Sequence, residues 1–461
     1  MSISSVFIAN RGEIAVRINH ACRKLGLRAV QAASAADLDS LAARLADAVV
    51  EIGPPPAAKS YLDVERMVAA AREAGCDAVH PGYGFLAENA DFADAVVAAG
   101  MRFIGPSGDA IRLLGDKVAA REVAARAGVP VVPGSDGRIA DVARATALAA
   151  EIGFPVMIKA AAGGGGRGIR IAHDAEEFAR FFPQASGEAS AAFGDGGLYV
   201  EKVIERARHV EVQILGDGER FVHCYERECS LQRRRQKVWE EAPAFELDAT
   251  VRQALCDSAV ALAASVGYRG AGTVEYLYDA ATREFYFIEV NTRIQVEHPV
   301  TEMVTGVDLV EQMIRVAGGE PLALGQDDVR IHGHAIECRI NAEDPARNFM
   351  PGPGTIETLH VPQGAHVRFD SLLYEGYTVP PFYDSLLGKL IVHGADRADC
   401  LDKLCSALDG LEVVGVPTTV PLHRALAVDA DVRQGRIDTR FLEPWLEQHF
   451  KPSTSTPGAA S

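Results

Sequence analysis

Short apolar runs alternate with alanine-rich helical stretches at the start of this chain, the pattern of an open, largely parallel α/β sheet. Ser5-Val6-Phe7-Ile8-Ala9 is a predicted strand, and Asn10-Arg11-Gly12-Glu13 turns into a helix whose periodic face is Ile14, Arg17, Ile18 and Ala21. Asp77-Ala78-Val79 is another strand. The glycines of His80-Pro81-Gly82-Tyr83-Gly84-Phe85-Leu86-Ala87-Glu88-Asn89 make a tight loop at its C-terminal end, where open α/β sheets bind ligands. From Asp116 the pattern changes to a helix over 118–127, a Pro/Gly linker over 128–134, and predicted strands at 155–159, 168–172 and 198–202. Strands follow near 221–225, at 272–278 and from 285, the last two joined by the turn Asp279-Ala280-Ala281-Thr282-Arg283. Alternation at 331–339 opens a further region with strand-like runs at 355–357 and 389–392 and a helix after Ala398. The expected fold is α/β and α+β: an open parallel α/β domain over 1–115, a second domain over 116–330 with a mobile glycine-rich lid at 131–203, and a mainly β domain over 331–450. Residues 451–461, rich in Pro, Ser, Thr and Gly, are expected to be a disordered tail.

The hairpin at 272–291 concentrates candidate chemistry. If the run from Phe285 continues as a strand, period two puts Phe285, Phe287, Glu289, Asn291 and Arg293 on one face, and a hairpin centred near Thr282 sets Glu275 opposite Glu289. Opposed carboxylates repel. Either Lys or Arg neighbours mask them on an exposed hairpin, or a hard divalent cation holds them, with Glu275, Glu289 and Asn291 as an oxygen-only donor set. Gly163-Gly164-Gly165-Gly166-Arg167-Gly168 offers many free N–H groups and little bulk, so it can fold over a polyphosphate, with Lys159 as a partner for phosphate charge. It is not a P-loop, since no Gly-Lys-Ser/Thr follows. The basic run Gln232-Arg233-Arg234-Arg235-Gln236-Lys237 is either solvated surface, as most such runs are, or, lying between the strand near 221–225 and the hairpin, able to bind a small anion.

Composition narrows the function classes. A formal charge of −17 over 461 residues leaves no basic excess to displace counterions from nucleic acid. The eight cysteines are dispersed without a C-x-x-C pair, as in a reduced cytosolic protein, and no apolar run reaches membrane-spanning length. The N-terminus lacks a basic stretch followed by an apolar core, so a soluble cytoplasmic protein is expected.

The glycine-rich hairpin after Lys159, the paired acids and Asn291 together resemble the ATP-grasp ligases. The strings Ile8-Ala9-Asn10-Arg11-Gly12-Glu13-Ile14-Ala15, 80–89, 163–168, 289–302 and Tyr377-Thr378-Val379-Pro380-Pro381-Phe382-Tyr383-Asp384-Ser385 resemble the biotin carboxylase family, over nearly the whole chain from Val6 to about Val392. The resemblance implies an ATP-grasp fold between two family-specific domains, and carboxylation of biotin by ATP and bicarbonate through carboxyphosphate. The biotin is a substrate borne on a separate biotin carboxyl carrier protein, because no Met-Lys pair is present to accept it. The implied setting is the stand-alone subunit of a bacterial acetyl-CoA carboxylase, working with carboxyltransferase subunits in malonyl-CoA supply for fatty acid synthesis. By the same resemblance Lys117, Lys159, Gly165, Gly166, Glu201, Lys202, Val203, Ile204, His209 and Arg235 hold ATP. Glu275, Glu289 and Asn291 take two Mg²⁺ or Mn²⁺ ions. Lys237, Arg293, Gln295, Val296 and Arg339 position bicarbonate, with Glu297 as general base and Arg339 facing the charge that develops on the biotin ureido oxygen. Arg235 departs from the histidine usual there. A homodimer is implied through the region of Arg368, although Asn19-His20-Ala21-Cys22-Arg23-Lys24 and Ala365 depart from the usual contacts. Another ATP-grasp ligase, a subunit of a different biotin-dependent complex, and a non-catalytic binding paralogue are the competing readings.

Overall fold

β1 (Ser5–Ile8) is buried at every position, and its alternate residues feed two separate cores. Val6 and Ile8 pack with Ile14, Ile18 and Cys22 of the helix Gly12–Leu25, whereas Phe7 and Ala9 pack with Met67, Phe92 and Val96 on the other face. A strand with helices on both faces is what a parallel sheet requires. β1 pairs in parallel with β2 (Arg28–Ala33) and β4 (Ala78–His80), and β3 (Ala48–Glu51) and β5 (Arg102–Phe103) complete the order β3-β2-β1-β4-β5. Gly26, at φ 69°, ends the helix by donating to the Arg23 carbonyl, and Leu27 donates to that of Cys22.

The computed structural model describes residues 3–135, 137–160, 170–193 and 196–450. The predicted loop 163–168, with Gly165 and Gly166, and the predicted tail 451–461 lie outside the described residues. A small antiparallel sheet, β7-β6-β8, is built from β6 (Val156–Ala160), β7 (Arg170–Ala172) and β8 (Leu198–Lys202) and covered by Phe178 and Phe182. The predicted linker 128–134 ties this module to the main sheet: Phe287 N donates to the Pro130 carbonyl at 2.8 Å and Lys202 N to that of Pro133 at 2.8 Å.

The large sheet carries β9 (Ala207–Asp217), β10 (Phe221–Arg233), β11 (Gln236–Ala242), β12 (Arg269–Asp279), β13 (Glu284–Asn291) and β14 (His334–Asn341). The short pairs β15 (Glu343–Asp344) with β16 (Met350–Pro351) and β17 (Thr358–His360) with β20 (Glu412–Val414) flank the longer β18 (Val367–Ser371) and β19 (Leu386–Gly394). The order β13-β12-β9-β10-β11-β14-β19-β18 runs as one sheet from the central part of the chain into its C-terminal part, where the helices Arg397–Gly410 and Val420–Val428 cover it. The expected strand at 355–357 is a single bridge, Thr355 to Thr378, with β17 starting just beyond it.

Alternation divides β9 and β12 into an apolar and a polar face. Val210, Val212 and Ile214 pack with Val274, Tyr276 and Tyr278 under the helix Ala249–Ser265. Glu211, Gln213, Thr273 and Glu275 therefore project to the opposite side, and they too are buried. One expectation fails here. A bulge between Glu275/Glu289 and Tyr276/Phe287 inserts an extra residue into β13, so Phe285 and Phe287 join the apolar core while Glu289 and Asn291 lie on the polar side. The strand also ends at Asn291, and the chain turns through Arg293 to the helix His298–Thr305, so Arg293 does not continue the strand face.

Candidate active site

Register across the polar face aligns Glu289, Glu275, Glu211 and Arg227 on four neighbouring strands. Three acids in a row are unfavourable unless cations are shared among them. Arg227, fully buried, commits its whole guanidinium: Nε to Glu211 at 2.7 Å, Nη1 to Gln213 and Thr301 at 2.7 and 3.0 Å, and Nη2 to Thr273 and Gln295 at 3.2 and 2.9 Å. Lys237, at the start of β11, places Nζ 2.5 Å from Glu211, 3.0 Å from Glu275 and 2.5 Å from Glu297, one acid for each of its three protons. Burial alone would lower its pKa, but these acids carry it well above its ordinary value. Glu275 and Glu211 respond in the opposite sense: despite burial, Lys237 and its neighbours hold both carboxyls well below their usual range.

Glu297 sits between two cations. Its Oε1 faces Lys237 and its Oε2 accepts from Arg339 Nη2 at 3.0 Å, while Arg339 Nε also donates to Glu240 at 2.6 Å. Burial pushes the Glu297 carboxyl up, but Lys237 and Arg339 outweigh it against the opposing charge of Glu211, so the group is an anion at neutral pH. Gln295 and Asn291 both donate to Glu275 Oε1, at 2.9 and 2.8 Å. Arg293 reaches back to Asn291 Oδ1 at 3.0 Å and across to Glu88 of the N-terminal domain at 3.0 Å, so the predicted loop at the end of β4 borders the site. His209 Nε2 lies 3.1 Å from Glu275 Oε2. Burial opposes its protonation, yet Glu275 and Glu211 raise its pKa to about 9.

The structure thus gathers Lys237, His209, Glu275, Asn291, Arg293, Gln295, Glu297 and Arg339. Val296 contributes its carbonyl, which accepts from Lys389 at 2.8 Å. Glu289 is opposed to Glu275 as expected and stands at the rim, 3.4 Å from the exposed Lys117. Together with Asn291 these carboxylates form an oxygen-only set, which fits a hard divalent cation. Other predicted residues lie on the small sheet or just beyond its last strand. Lys159 pairs with Glu201, Lys202 Nζ donates to the Gly153 and Phe154 carbonyls at 2.8 and 3.3 Å, Val203 is buried, and Ile204 is half-buried. The basic run resolves into a hairpin: Arg234 and Arg235 form its tip at φ 49° and 67°, Arg233 stacks on Phe349, Lys237 enters the polar face, and Gln232 Nε2 lies 3.0 Å from His209 Nδ1. Arg235 is exposed.

Four participants were not anticipated: Glu211, Arg227, Glu13 and Lys389. Lys389 is fully buried and donates to Val296 O beside its 3.0 Å ion pair with Glu13, thereby holding the Glu297 segment against the N-terminal helix. The string His209-Val210-Glu211-Val212-Gln213-Ile214 carries the period-two signal that would have located Glu211, and Lys389 is conspicuous as a lone charge in Leu386-Leu387-Gly388-Lys389-Leu390-Ile391-Val392. Arg227, between Glu226 and Glu228, has no such local signature.

Three family models match successive parts of the chain: "Biotin carboxylase, N-terminal domain" over 2–111, "Carbamoyl-phosphate synthase L chain, ATP binding domain" over 116–324, and "Biotin carboxylase C-terminal domain" over 337–444. The biotin carboxylase of Pseudomonas aeruginosa is 52% identical over 446 residues, covering 96% of this chain and 99% of that protein. Among solved structures, the biotin carboxylase domain of a thermophilic 2-oxoglutarate carboxylase bound to bicarbonate superposes with a TM-score of 0.92 at 45% identity, covering 97% of this chain and 99% of the other. The Hydrogenobacter thermophilus biotin carboxylase domain dimer, in complex with MgADP, ADP and bicarbonate, superposes with a TM-score of 0.86 at 47% identity, covering 97% and 99%.

Proposed function

The chain belongs to the biotin carboxylase family, and from that premise we propose how its site carries out the family's reaction, the ATP-dependent carboxylation of biotin by bicarbonate. The observation that carries the proposal is Glu297, an ionised carboxylate held between Lys237 and Arg339 on a buried polar face. ATP is held by Lys117, Lys159, Gly165, Gly166, the segment Glu201, Lys202, Val203, Ile204, and His209. Glu275, Glu289 and Asn291 hold magnesium, which when bound neutralises charge on the nucleotide phosphates. Lys237, Arg293, Gln295, Val296 and Arg339 orient bicarbonate. Glu297 takes its proton, so that an anionic oxygen attacks the γ-phosphorus, forming a P–O bond as the bond to ADP breaks. Carboxyphosphate then delivers its carboxyl group to N1′ of biotin: the N–C bond forms, the C–O bond to phosphate breaks, and the N1′ proton passes to the departing phosphate. Arg339 is a fixed cation where charge develops on the ureido oxygen, and its placement before the reaction begins is the source of its effect.

The biotin is presented by a separate carrier protein, and the acceptor is chosen by carboxyltransferase subunits. Malonyl-CoA supply through an acetyl-CoA carboxylase is the first reading. A subunit of another biotin-dependent complex is the second, favoured by the likeness to a domain of a 2-oxoglutarate carboxylase. Among the described residues no helix is long and apolar enough to cross a membrane.

ADP formation by the purified chain with ATP, magnesium and bicarbonate, with and without free biotin, tests the reaction. Biotin-dependent turnover with carboxybiotin as product is expected. ADP formation that ignores biotin and responds to an amine would point to a different ATP-grasp ligase, and no turnover at all to a binding subunit. Carrier and carboxyltransferase polypeptides that co-purify with the chain decide between the two complexes.

A further inference from the structure

Behind Arg339 the sheet holds a second pair of opposed acids that the reaction as described does not use. Glu240 on β11 and Glu337 on β14 are register partners, and both are fully buried. Glu240 Oε1 is occupied by Arg339, but its Oε2 and both oxygens of Glu337 have no hydrogen-bond partner among the described residues. The cations facing the pair are committed elsewhere. Arg339, two residues along β14 from Glu337, is shared between Glu240 and Glu297. Lys389 on β19 serves Glu13 and the Val296 carbonyl, and Lys237 on β11 serves Glu211, Glu275 and Glu297. The remaining neighbours add no free positive charge. Asp370 on β18 pairs with Arg368, Tyr83 hydrogen-bonds Glu13, and burial beside Lys389 holds His298 neutral.

A buried ionised carboxylate with no partner costs several kcal/mol, about what removing one member of a buried ion pair costs, so such a group takes up a proton instead. Register partners stand side by side on one sheet face, within reach of each other's side chains, so a carboxylic O–H on Glu337 can be accepted by the unoccupied Oε2 of Glu240. We infer that Glu240 and Glu337 share one buried proton, and that Glu337, as a neutral hydrogen-bond donor, is a positioning residue that leaves Arg339 free to face Glu297 and the substrate. Burial pushes Glu240 up to about 7 and Glu337 well above its usual value, which agrees with this geometry. Loss of the proton to solvent at alkaline pH leaves two negative charges behind Arg339 and draws the guanidinium into the sheet. The positioning role rests on the reading of Arg339 given above; the shared proton does not.

Infrared difference spectra of the full chain read the proton directly. A carboxylic-acid C=O band is expected at pH 7 in the wild type and is expected to be missing from E337Q. No such difference overturns the inference, whether or not the chain carboxylates biotin. Kinetics test the positioning role. E337Q, which keeps a neutral donor, is expected to retain kcat within about threefold at pH 7 while its alkaline loss of kcat/KM for biotin moves up by about one pH unit or more. E337L lacks the donor and is expected to lose tenfold or more at every pH. Equal losses in E337Q and E337L, or an unmoved alkaline limb in E337Q, overturn the positioning role. An infrared band in a chain without biotin-dependent turnover supports the shared proton and sinks the functional reading instead.

Discussion

A carboxylate flanked by Lys237 and Arg339 stays ionised even where burial disfavours charge, so Glu297 has the protonation state that a base needs before bicarbonate arrives. The same two cations make it a weak base, which suits a step where the proton is released only as phosphorus is attacked. E297Q preserves the shape and removes the proton acceptor. Its bicarbonate-dependent turnover is expected to fall by about two to four orders of magnitude with the KM for ATP nearly unchanged, since the residues proposed to hold ATP are others. Single-turnover ADP release and ATP titration check both halves, and near-normal turnover would remove Glu297 from the mechanism. Lys237 is not replaceable in the same spirit. Deleting the cation shared by three buried acids exposes their mutual repulsion, so K237M is expected to lower the melting temperature as well as the activity.

Elements set how these residues meet. The bulge in β13 is what lets Phe287 and Val290 enter one core while Glu289 turns to the polar face; without it, Glu289 would follow Phe287 into the apolar layer. The hairpin tip between β10 and β11 is the opposite case, a place where the sequence resists the backbone. Arg234 and Arg235 both take positive φ, a conformation that two-residue hairpin turns usually assign to Asn-Gly. Replacing Arg235 by Gly relieves the strained residue at an exposed site and is expected to raise stability by about 0.5–1 kcal/mol, read as a higher melting temperature. The KM for ATP gives the functional half of that experiment. If Arg235 contacts the nucleotide, R235G raises KM at low ionic strength with kcat within about tenfold, and an unchanged KM marks the side chain as a surface charge.

At the scale of the molecule, buried titratable groups predict how the fold responds to acid. Burial holds His80 neutral, down to about 3, and His423, down to about 4, from an ordinary 6.5, so unfolding binds protons as soon as pH falls below about 6.5. Glu211, Glu241, Glu275 and Asp370 are held below their usual values by partner cations; their contribution is complete above about pH 4.5 and is lost as pH falls further. Between about pH 6.5 and 4.5 the histidine loss is offset by Glu13, Glu226, Glu240 and Glu337, which burial pushes up and which unfolding deprotonates. Denaturant unfolding is therefore expected to show its steep decline in midpoint below about pH 4.5, and a midpoint that holds steady from there down to about pH 3 would contradict the carboxylate part. Assembly belongs to this scale as well. Arg368 is already paired with Glu302 and Asp370 within the chain, at 2.7 and 2.6 Å, beside the helix that carries His20 and Lys24. A homodimer across this surface is our expectation, with weaker association where the usual partners are replaced, and sedimentation showing only monomer at micromolar concentration would exclude it.

What the sequence determined by itself were the features carried by local periodicity. Those are the parallel strands and helices of the first domain, the opposed pair Glu275 and Glu289 two residues before Asn291, and the dispersed cysteines, which are all free thiols. Local patterns sufficed because a strand or a hairpin is specified by residues a few positions apart. Tertiary structure alone decided the rest. It brought Glu211, Arg227, Lys237, Glu297 and Arg339 from five separate segments onto one face, and put Lys389 under the Val296 carbonyl from a distant strand. It also flipped the parity of β13 with a single inserted residue. Charge neutralisation in a buried site depends on distance through space, and burial multiplies its weight. Linear spacing records neither quantity, which is why Glu240 and Glu337, ninety-odd positions apart and directly opposed, announced nothing until the sheet was assembled.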